Sequence, residues 1–464
     1  MSNNRIDALE RAPIKGLLWR YALPAIIGSS VNALYNIIGR YFVGNTPYLG
    51  DAAMTAMGVA LPIMIIIAAF GMLVGAGSAS RISIFLGQGS SQKAEKVLGT
   101  ALLLTLGLTL TVSLLLFAFL DPVVRMLGAK GEMAYYTKAF LSFFLPGSIF
   151  STLCFSFNNM MRASGYPRKA MYIMIFTLVV NIILAPLFLR QFEWGIEGAA
   201  IATVISMIVG TILVLYHFTV QSRTLRLRLR YIRIDKEIAK AILSIGMSPF
   251  LMQLVSSTVV FIIIRQLDIY GGEAAVGAYT IMNALLMLMI MIMVGLTQGM
   301  QPIVGYSYGA AKYERVEEAL KYTIKIGMTM GLVGLIISLF FPHVVVNLFK
   351  PSDHAIIDET IRSMRISGIL LPIVGFQIVA TSFFQSIGKV AQSIVLSVSR
   401  QLLFLLPALF TLPRYFGTVG VWASIPVADF SASIITAILL IVQIRAFRAA
   451  RKMQDVKLKA KSDQ

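Results

Sequence analysis

Apolar residues along this chain run together in blocks of membrane length, separated by short polar connectors. About twenty consecutive apolar residues carry an α-helix across a bilayer. Twelve blocks reach that length, at approximately 16–44, 52–80, 97–120, 135–161, 168–190, 195–220, 239–269, 275–305, 320–349, 361–387, 391–413 and 417–445. Several exceed the minimum, which implies tilt or extension beyond the hydrocarbon. The longest interior polar break is 221–240, QSRTLRLRLRYIRIDKEIAK, with seven Lys or Arg against Asp235 and Glu237. Cations beside spans resist translocation, so this break is expected to be cytoplasmic, either as a plain contact with anionic headgroups or in a regulatory role. Basic residues before the first block, after the last and in the other loops that follow even blocks agree, so both termini are expected in the cytoplasm. The expected organisation is an N-terminal lobe over 1–220, a basic linker over 221–240, a C-terminal lobe over 241–445 and a basic tail over 446–464. That tail either continues as a basic helix on the membrane surface or is solvated chain.

Composition narrows the class further. The chain has 464 residues, 57% apolar and 13% charged, against roughly 25% charged in soluble domains. It is therefore an all-α integral membrane protein. The net charge of +19 sits at span ends and in the tails, without the aromatic interleaving of a nucleic-acid groove, so no nucleic-acid partner is expected. Cys154 is the single cysteine, and His217, His343 and His354 lack ligand spacing, so neither a disulfide framework nor a metal site is expected. There is no phosphate-cradling GxxxxGK[ST] sequence and no nucleophile–base set. An enzyme is the weakest class; any transport would draw on an ion gradient, with no cofactor.

The two halves repeat each other. RYALPAIIGSSVNALYNIIGR (20–40) matches SIGMSPFLMQLVSSTVVFIIIR (244–265), and LGQGSSQKAEKVL (86–98) matches YGAAKYERVEEAL (308–320). FFLPGSIF (143–150), MRASGYPRKA (161–170) and WGIEGAAIAT (194–203) answer ILLPIVGF (369–376), FQSIGKVAQS (384–393) and FGTVGVWASI (416–425). Six spans per half give both copies one orientation, so an axis along the membrane normal should relate them, with two six-helix bundles facing across a central cavity.

Polar groups inside the bilayer are costly and therefore informative. Asn32, Tyr35 and Asn36 lie in the first block, Asn181 in the fifth, Gln253 in the seventh, Asn283 and Gln298 in the eighth, and Gln377 and Gln385 in the tenth. They either join helices as interhelical amides or line a polar cavity. Met282 and Met287 in the Met-rich eighth block either pack ordinarily or form a soft surface for varied apolar ligands. Asp429 is the deepest acid, midway along the last block, and Arg400 in the eleventh is its natural partner. Either the pair permanently locks two helices, or the carboxylate binds and releases an ion during a cycle.

NALYNIIGRYFVG (32–44), NNMMRASGYPRKAM (158–171), NIILAPLF (181–188), QGMQPIVGYSYGAAK (298–312) and RQLLFLLP (400–407) resemble the MATE family of multidrug and toxic-compound extrusion transporters over essentially the whole chain. The resemblance implies two six-helix lobes in a bacterial plasma membrane, and export of amphipathic or cationic small molecules in exchange for H⁺ or Na⁺. It also implies a monomer whose partners are its substrates and membrane lipids. Gly39 and Ala185 stand where that family usually carries acids linked to cation coupling. With both absent, coupling is expected at Asp429, with Asn36 and Asn181 lining what remains, or is altered or lost. A lipid-linked saccharide flippase of the same superfamily is the alternative, though it would require several unpaired cavity cations. A major-facilitator transporter is disfavoured because its DRxGRR-like loop is replaced here by LGQGSSQKAE.

Overall fold

A computed structural model describes residues 8–47, 49–349 and 353–462; the side chains of Asn32, Ala33, Asn36, Ile37, Arg40, Asp51, Leu348 and 455–462 lie outside that description. The described chain is helical, without a strand among the described residues. In order, the helices are α1 (Ile14–Gly44), α2 (Gly50–Gly87), α3 (Ser91–Ala118), the short α4 (Leu120–Met126), α5 (Gly131–Ala163), α6 (Pro167–Pro186) and α7 (Gly195–Tyr216). The second half continues with α8 (Lys236–Gly309), α9 (Tyr313–Phe340), the short α10 (Pro342–Phe349), α11 (His354–Ser367), α12 (Leu371–Ser386), α13 (Val390–Val398), α14 (Leu406–Phe416) and α15 (Thr418–Ser462). Helix α15 runs well past 445, so the basic tail begins as a continuation of the last span.

Among the described residues, nine helices are long and apolar enough to cross a membrane, and α11 with α12 pass together as one bent span. Helix α8 has 74 residues, about 110 Å at 1.5 Å per residue, far more than one crossing of a ~30 Å core needs. It is two helices joined at Gly272, whose φ of 61° and ψ of −158° are not helical. Counting α8 as two spans and α1, with 31 residues, as another gives the twelve expected from the hydropathy blocks.

The sequence repeat is written into the backbone. Left-handed turns occur at Gly50 and Gly272, Gly89 and Ala311, Gly165 and Gly388, and Gly195 and Gly417. Members of each pair stand 222 or 223 residues apart. Only Ala311 (φ 55°) lacks glycine's freedom, so the turn before α9 keeps its shape at a cost that glycine avoids. The ion pairs repeat as well. Glu95, one turn into α3, accepts the Arg226 backbone N–H at 3.2 Å and pairs with Arg228 Nε at 3.2 Å. Glu317, one turn into α9, pairs with Arg448 Nη2 at 2.8 Å. Each acid thus holds the segment that leaves the last span of its own half.

The chain divides into two compact units, and the division cuts α1 after Ala22 and α8 after Gln253. In the first unit, a Cβ on Gly246 would lie 1.7 Å from the Leu73 carbonyl oxygen, and one on Gly77 would lie 2.1 Å from that of Ile242. The first turns of α8 therefore pack backbone to backbone on α2. The second unit includes Leu9–Ala22 and repeats the arrangement, for a Cβ on Gly299 would fall 2.4 Å from Ala22 Cα. Arg315 Nη2 donates to the carbonyls of Leu9 (3.1 Å) and Ala12 (2.9 Å) there. The Lys312 ammonium, 2.7 Å from Glu10, holds that carboxyl below the ordinary carboxylate range.

The turn pair at Gly89 and Ala311 gives a clean test, since a Cβ on Gly89 would meet nothing within 4 Å. Ala311→Gly should stabilise the protein by up to about 1 kcal/mol, and Gly89→Ala should destabilise it by about 1–2 kcal/mol. Thermal unfolding in detergent would read both as shifts of opposite sign.

Candidate functional site

Asp429 lies in the first third of α15, within its apolar part, and its side chain is 2% exposed. Arg400 Nε donates to Asp429 Oδ1 at 2.5 Å. Burying either charge alone would cost several kcal/mol, and this geometry offsets that cost only because both partners are present. Arg400 sits in a π-helical stretch, Ser399–Leu405, between α13 and α14. The stretch ends just before Pro407, which has no N–H for the carbonyl four residues back. The ladder widens there, as π-turns at functional sites often do.

Two further helices brace the pair. Gln377 Nε2, from α12, donates to the Asp429 backbone carbonyl at 2.5 Å. Gln401 Nε2, next to Arg400, donates to Ser256 Oγ on α8 at 2.7 Å. One turn earlier in α15, Pro426 leaves the Trp422 carbonyl without its helical donor, and the Ser367 hydroxyl of α11 donates to it at 3.3 Å. Trp422 is fully buried, and its indole N–H donates to Glu359 at 2.6 Å. Every partner lies in the second unit. The oxygens Gln377 Oε1, Ser399 Oγ and Gln401 Oε1 are buried without a donor among the described residues. Buried acceptors of this kind are costly, and all three belong to residues that brace or flank the pair.

The other expected site residues are placed as follows. Tyr35 donates its hydroxyl to the Thr203 carbonyl at 3.3 Å in the first unit, and Asn181 is buried there. Asn32 and Asn36 lie, by their side chains, outside the described residues. Gln253 and Asn283 are half-buried. Met282 is buried in a core cluster with Trp422, Tyr279 and Val259, whereas Met287 is exposed. The structure thus brings Asp429 and Arg400 together; it brings Met282 into packing and leaves Met287 on the surface. Ala185, one of the two positions lacking an acid, packs with Phe188 and Ala202 in a small apolar cluster.

Ser399 and Gln401 are absent from the residues singled out by the sequence for this site. A glutamine in the tenth block was visible, but its bond to a carbonyl in the twelfth depends on tertiary placement. In the first unit, Arg162 is also buried, with Nη2 donating to Asn159 Oδ1 at 2.8 Å. Its cue was the NNMMRASG motif. Among the described residues, no group of three or more His, Cys, Asp and Glu side chains is arranged to hold a metal ion.

The pair makes a testable energetic claim. Asp429→Ala or Arg400→Ala should each cost about 3–5 kcal/mol by leaving its partner buried and uncompensated. The double variant Asp429→Asn/Arg400→Gln should recover most of that loss. A double-mutant cycle by thermal unfolding in detergent checks this; additive losses would mean that the two charges do not interact.

Comparison with known proteins follows the same architecture. One family pattern, MatE, matches twice, over residues 24–187 and 247–410, two equal stretches offset by 223 residues. The multidrug export protein MepA of Staphylococcus aureus (strain N315) is 27% identical over 449 residues, covering 96% of this chain and 97% of that protein. A crystal structure of a MATE protein in the bent conformation superposes with a TM-score of 0.91 at 28% identity, covering 97% of this chain and 99% of that one. A MOP superfamily transporter from Pyrococcus furiosus Vc1, described as having a binding pocket of reversed polarity that suggests a different function, superposes at 0.89 with 28% identity and covers 97% and 99%. The doubled match spans most of a twelve-span, internally repeated chain, and the protein belongs to the MatE family of membrane transporters.

Proposed function

We propose that this protein is a secondary active antiporter that exports amphipathic, commonly cationic, small molecules in exchange for H⁺ or Na⁺. It works as a monomer by alternating access, with both termini on the cytoplasmic side. The observation that carries this reading is the buried Asp429–Arg400 pair, set in a fold whose relatives include proteins named for multidrug export. In the proposed cycle the carboxylate exchanges partners. An entering H⁺ or Na⁺ competes with Arg400 for Asp429, and the freed guanidinium must then be accommodated elsewhere. The donor-free oxygens of Gln377, Ser399 and Gln401 are acceptors of the right kind for either cation. A substrate shifts such a cycle only through a difference in its affinity for the two states, and partner exchange at one carboxylate supplies such a difference. The saccharide flippase is less well supported, because Arg400 is already neutralised by Asp429.

Efflux of a fluorescent lipophilic cation from energised cells tests the proposal. Accumulated dye should leave the cells, efflux should stop when either the proton or the sodium gradient alone is collapsed, and the other collapse should have no effect. Insensitivity to both collapses would contradict gradient-driven antiport. Failure to move the dye, with complementation of a saccharide-flippase deletion, would put the flippase in its place.

A further inference from the structure

The basic linker between α7 and α8 is an ordered strap. It runs in extended backbone to a single 3-10 turn at Leu229–Tyr231, and its main chain is tied to the first unit along its length. The Tyr166 hydroxyl accepts from Arg223 N at 3.3 Å, Phe218 O from Leu227 N at 2.9 Å and Glu95 Oε1 from Arg226 N at 3.2 Å. Thr100 Oγ1 donates to Arg233 O at 3.1 Å and accepts from Asp235 N at 3.4 Å. A Cβ on Gly99 would stand 1.9 Å from the Tyr231 carbonyl oxygen, so strap and helix meet backbone to backbone. Ser222, Leu225 and Tyr231 are buried on the inner edge.

The outer edge presents an unusual combination. Arg223, Arg230 and Arg233 are exposed and have no carboxylate partner among the described residues. Arg230 is held over the Tyr231 ring, with its guanidinium carbon 4.5 Å from the centroid. Between and beside them, Leu229 is 88% exposed and Ile234 57% exposed. A strap that only spanned water would gain nothing from presenting two large aliphatic side chains among guanidinium groups. That combination is the composition of a segment lying in the interfacial layer of a bilayer, with apolar side chains at the acyl boundary and cations at the headgroups. The position agrees, because the strap joins the ends of two membrane-length helices. Guanidinium groups match phosphate oxygens in geometry as well as in charge.

We propose that the outer edge of this strap is a binding site for acidic phospholipid, with Arg223, Arg230 and Arg233 on the headgroup phosphates and Leu229 and Ile234 among the acyl chains. Free inorganic phosphate would engage the arginines and leave both aliphatics unexplained. An acidic peptide would have to displace the lipid that the adjoining spans already place beside the strap. Because Glu95 and Thr100 of α3 hold the strap's backbone, headgroup binding acts directly on how the strap is seated against the first unit. The site is independent of the transported substrate and of the coupling ion.

The test uses the full chain with Leu229→Cys carrying a nitrobenzoxadiazole label, since the native Cys154 is buried. The protein is reconstituted into phosphatidylcholine vesicles containing trace doxyl-labelled phosphatidylglycerol or doxyl-labelled phosphatidylcholine. The phosphatidylglycerol quencher should be several-fold more effective per mole. Each cation near a membrane surface contributes about fivefold to such a preference, so Arg223→Gln/Arg230→Gln/Arg233→Gln should remove it and bring the two quenchers close to equal effectiveness. The corresponding triple Lys variant should retain most of it, which separates charge from misfolding. Equal quenching by the two lipids, or a preference untouched by the triple Gln variant, would overturn the proposal. Loss of the preference on adding inorganic phosphate at constant ionic strength would overturn it in favour of a free-anion site.

Discussion

A carboxylate in the middle of a membrane-spanning helix must be neutralised, and Arg400 neutralises Asp429. The surrounding geometry follows from that requirement. The guanidinium is presented from a widened π-helical stretch, Ser399–Leu405, whose end is marked by a proline that cannot close the normal ladder. Gln377 takes up the Asp429 carbonyl, and Gln401 ties the widened stretch to α8. Four segments of the second half thus converge on one ion pair. Because the pair is balanced, it can persist in a low-dielectric interior. Under the proposed antiport, structural locking and ion coupling use the same contacts. The proposed antiport adds the claim that the partner changes during the cycle.

The two halves keep a common backbone and differ in chemistry. Left-handed turns recur at matched positions, even where Ala311 makes one of them strained. The clasp of Glu95 on the strap and of Glu317 on α15 also recurs. The ion pair does not. At the same offsets of 222 and 223 residues, the first half has Met207 in place of Asp429 and Thr177 in place of Arg400. The first half is also without acids at Gly39 and Ala185, and Ala185 is packed among Phe188 and Ala202. Duplication preserved what holds helices in place, while the deep acid remains in one half only.

Much of this was legible in the sequence because membrane insertion imposes a coarse, strong pattern. Apolar length marked the spans, and the order of matching blocks revealed the repeat. A deep acid in a long apolar block pointed to Asp429, and the depth of Arg400 in the eleventh block pointed to its partner. Features that depend on backbone register or on distant partners were not legible. The π-helical stretch leaves no periodic signature, and the Gln377 bond to a carbonyl 52 residues away has no local cue. The division of α1 after Ala22 and of α8 after Gln253 falls inside unbroken apolar runs, where hydropathy gives no boundary. The strap read as a loop because its arginines dominate the composition; its order comes from Glu95 and Thr100 on another helix.

The central claim is that the carboxylate of Asp429 carries the coupling charge. Its most direct test is ion movement in proteoliposomes containing the charge-balanced double variant Asp429→Asn/Arg400→Gln, which removes the pair without leaving a lone buried charge. An outward substrate gradient is imposed, and uptake of H⁺ and of Na⁺ is recorded beside that of the unmodified protein. The account predicts that the unmodified protein takes up one of the two ions, and that the double variant passes substrate downhill with no counter-ion movement. Undiminished ion uptake by a folded double variant would contradict it and place the coupling charge elsewhere in the protein.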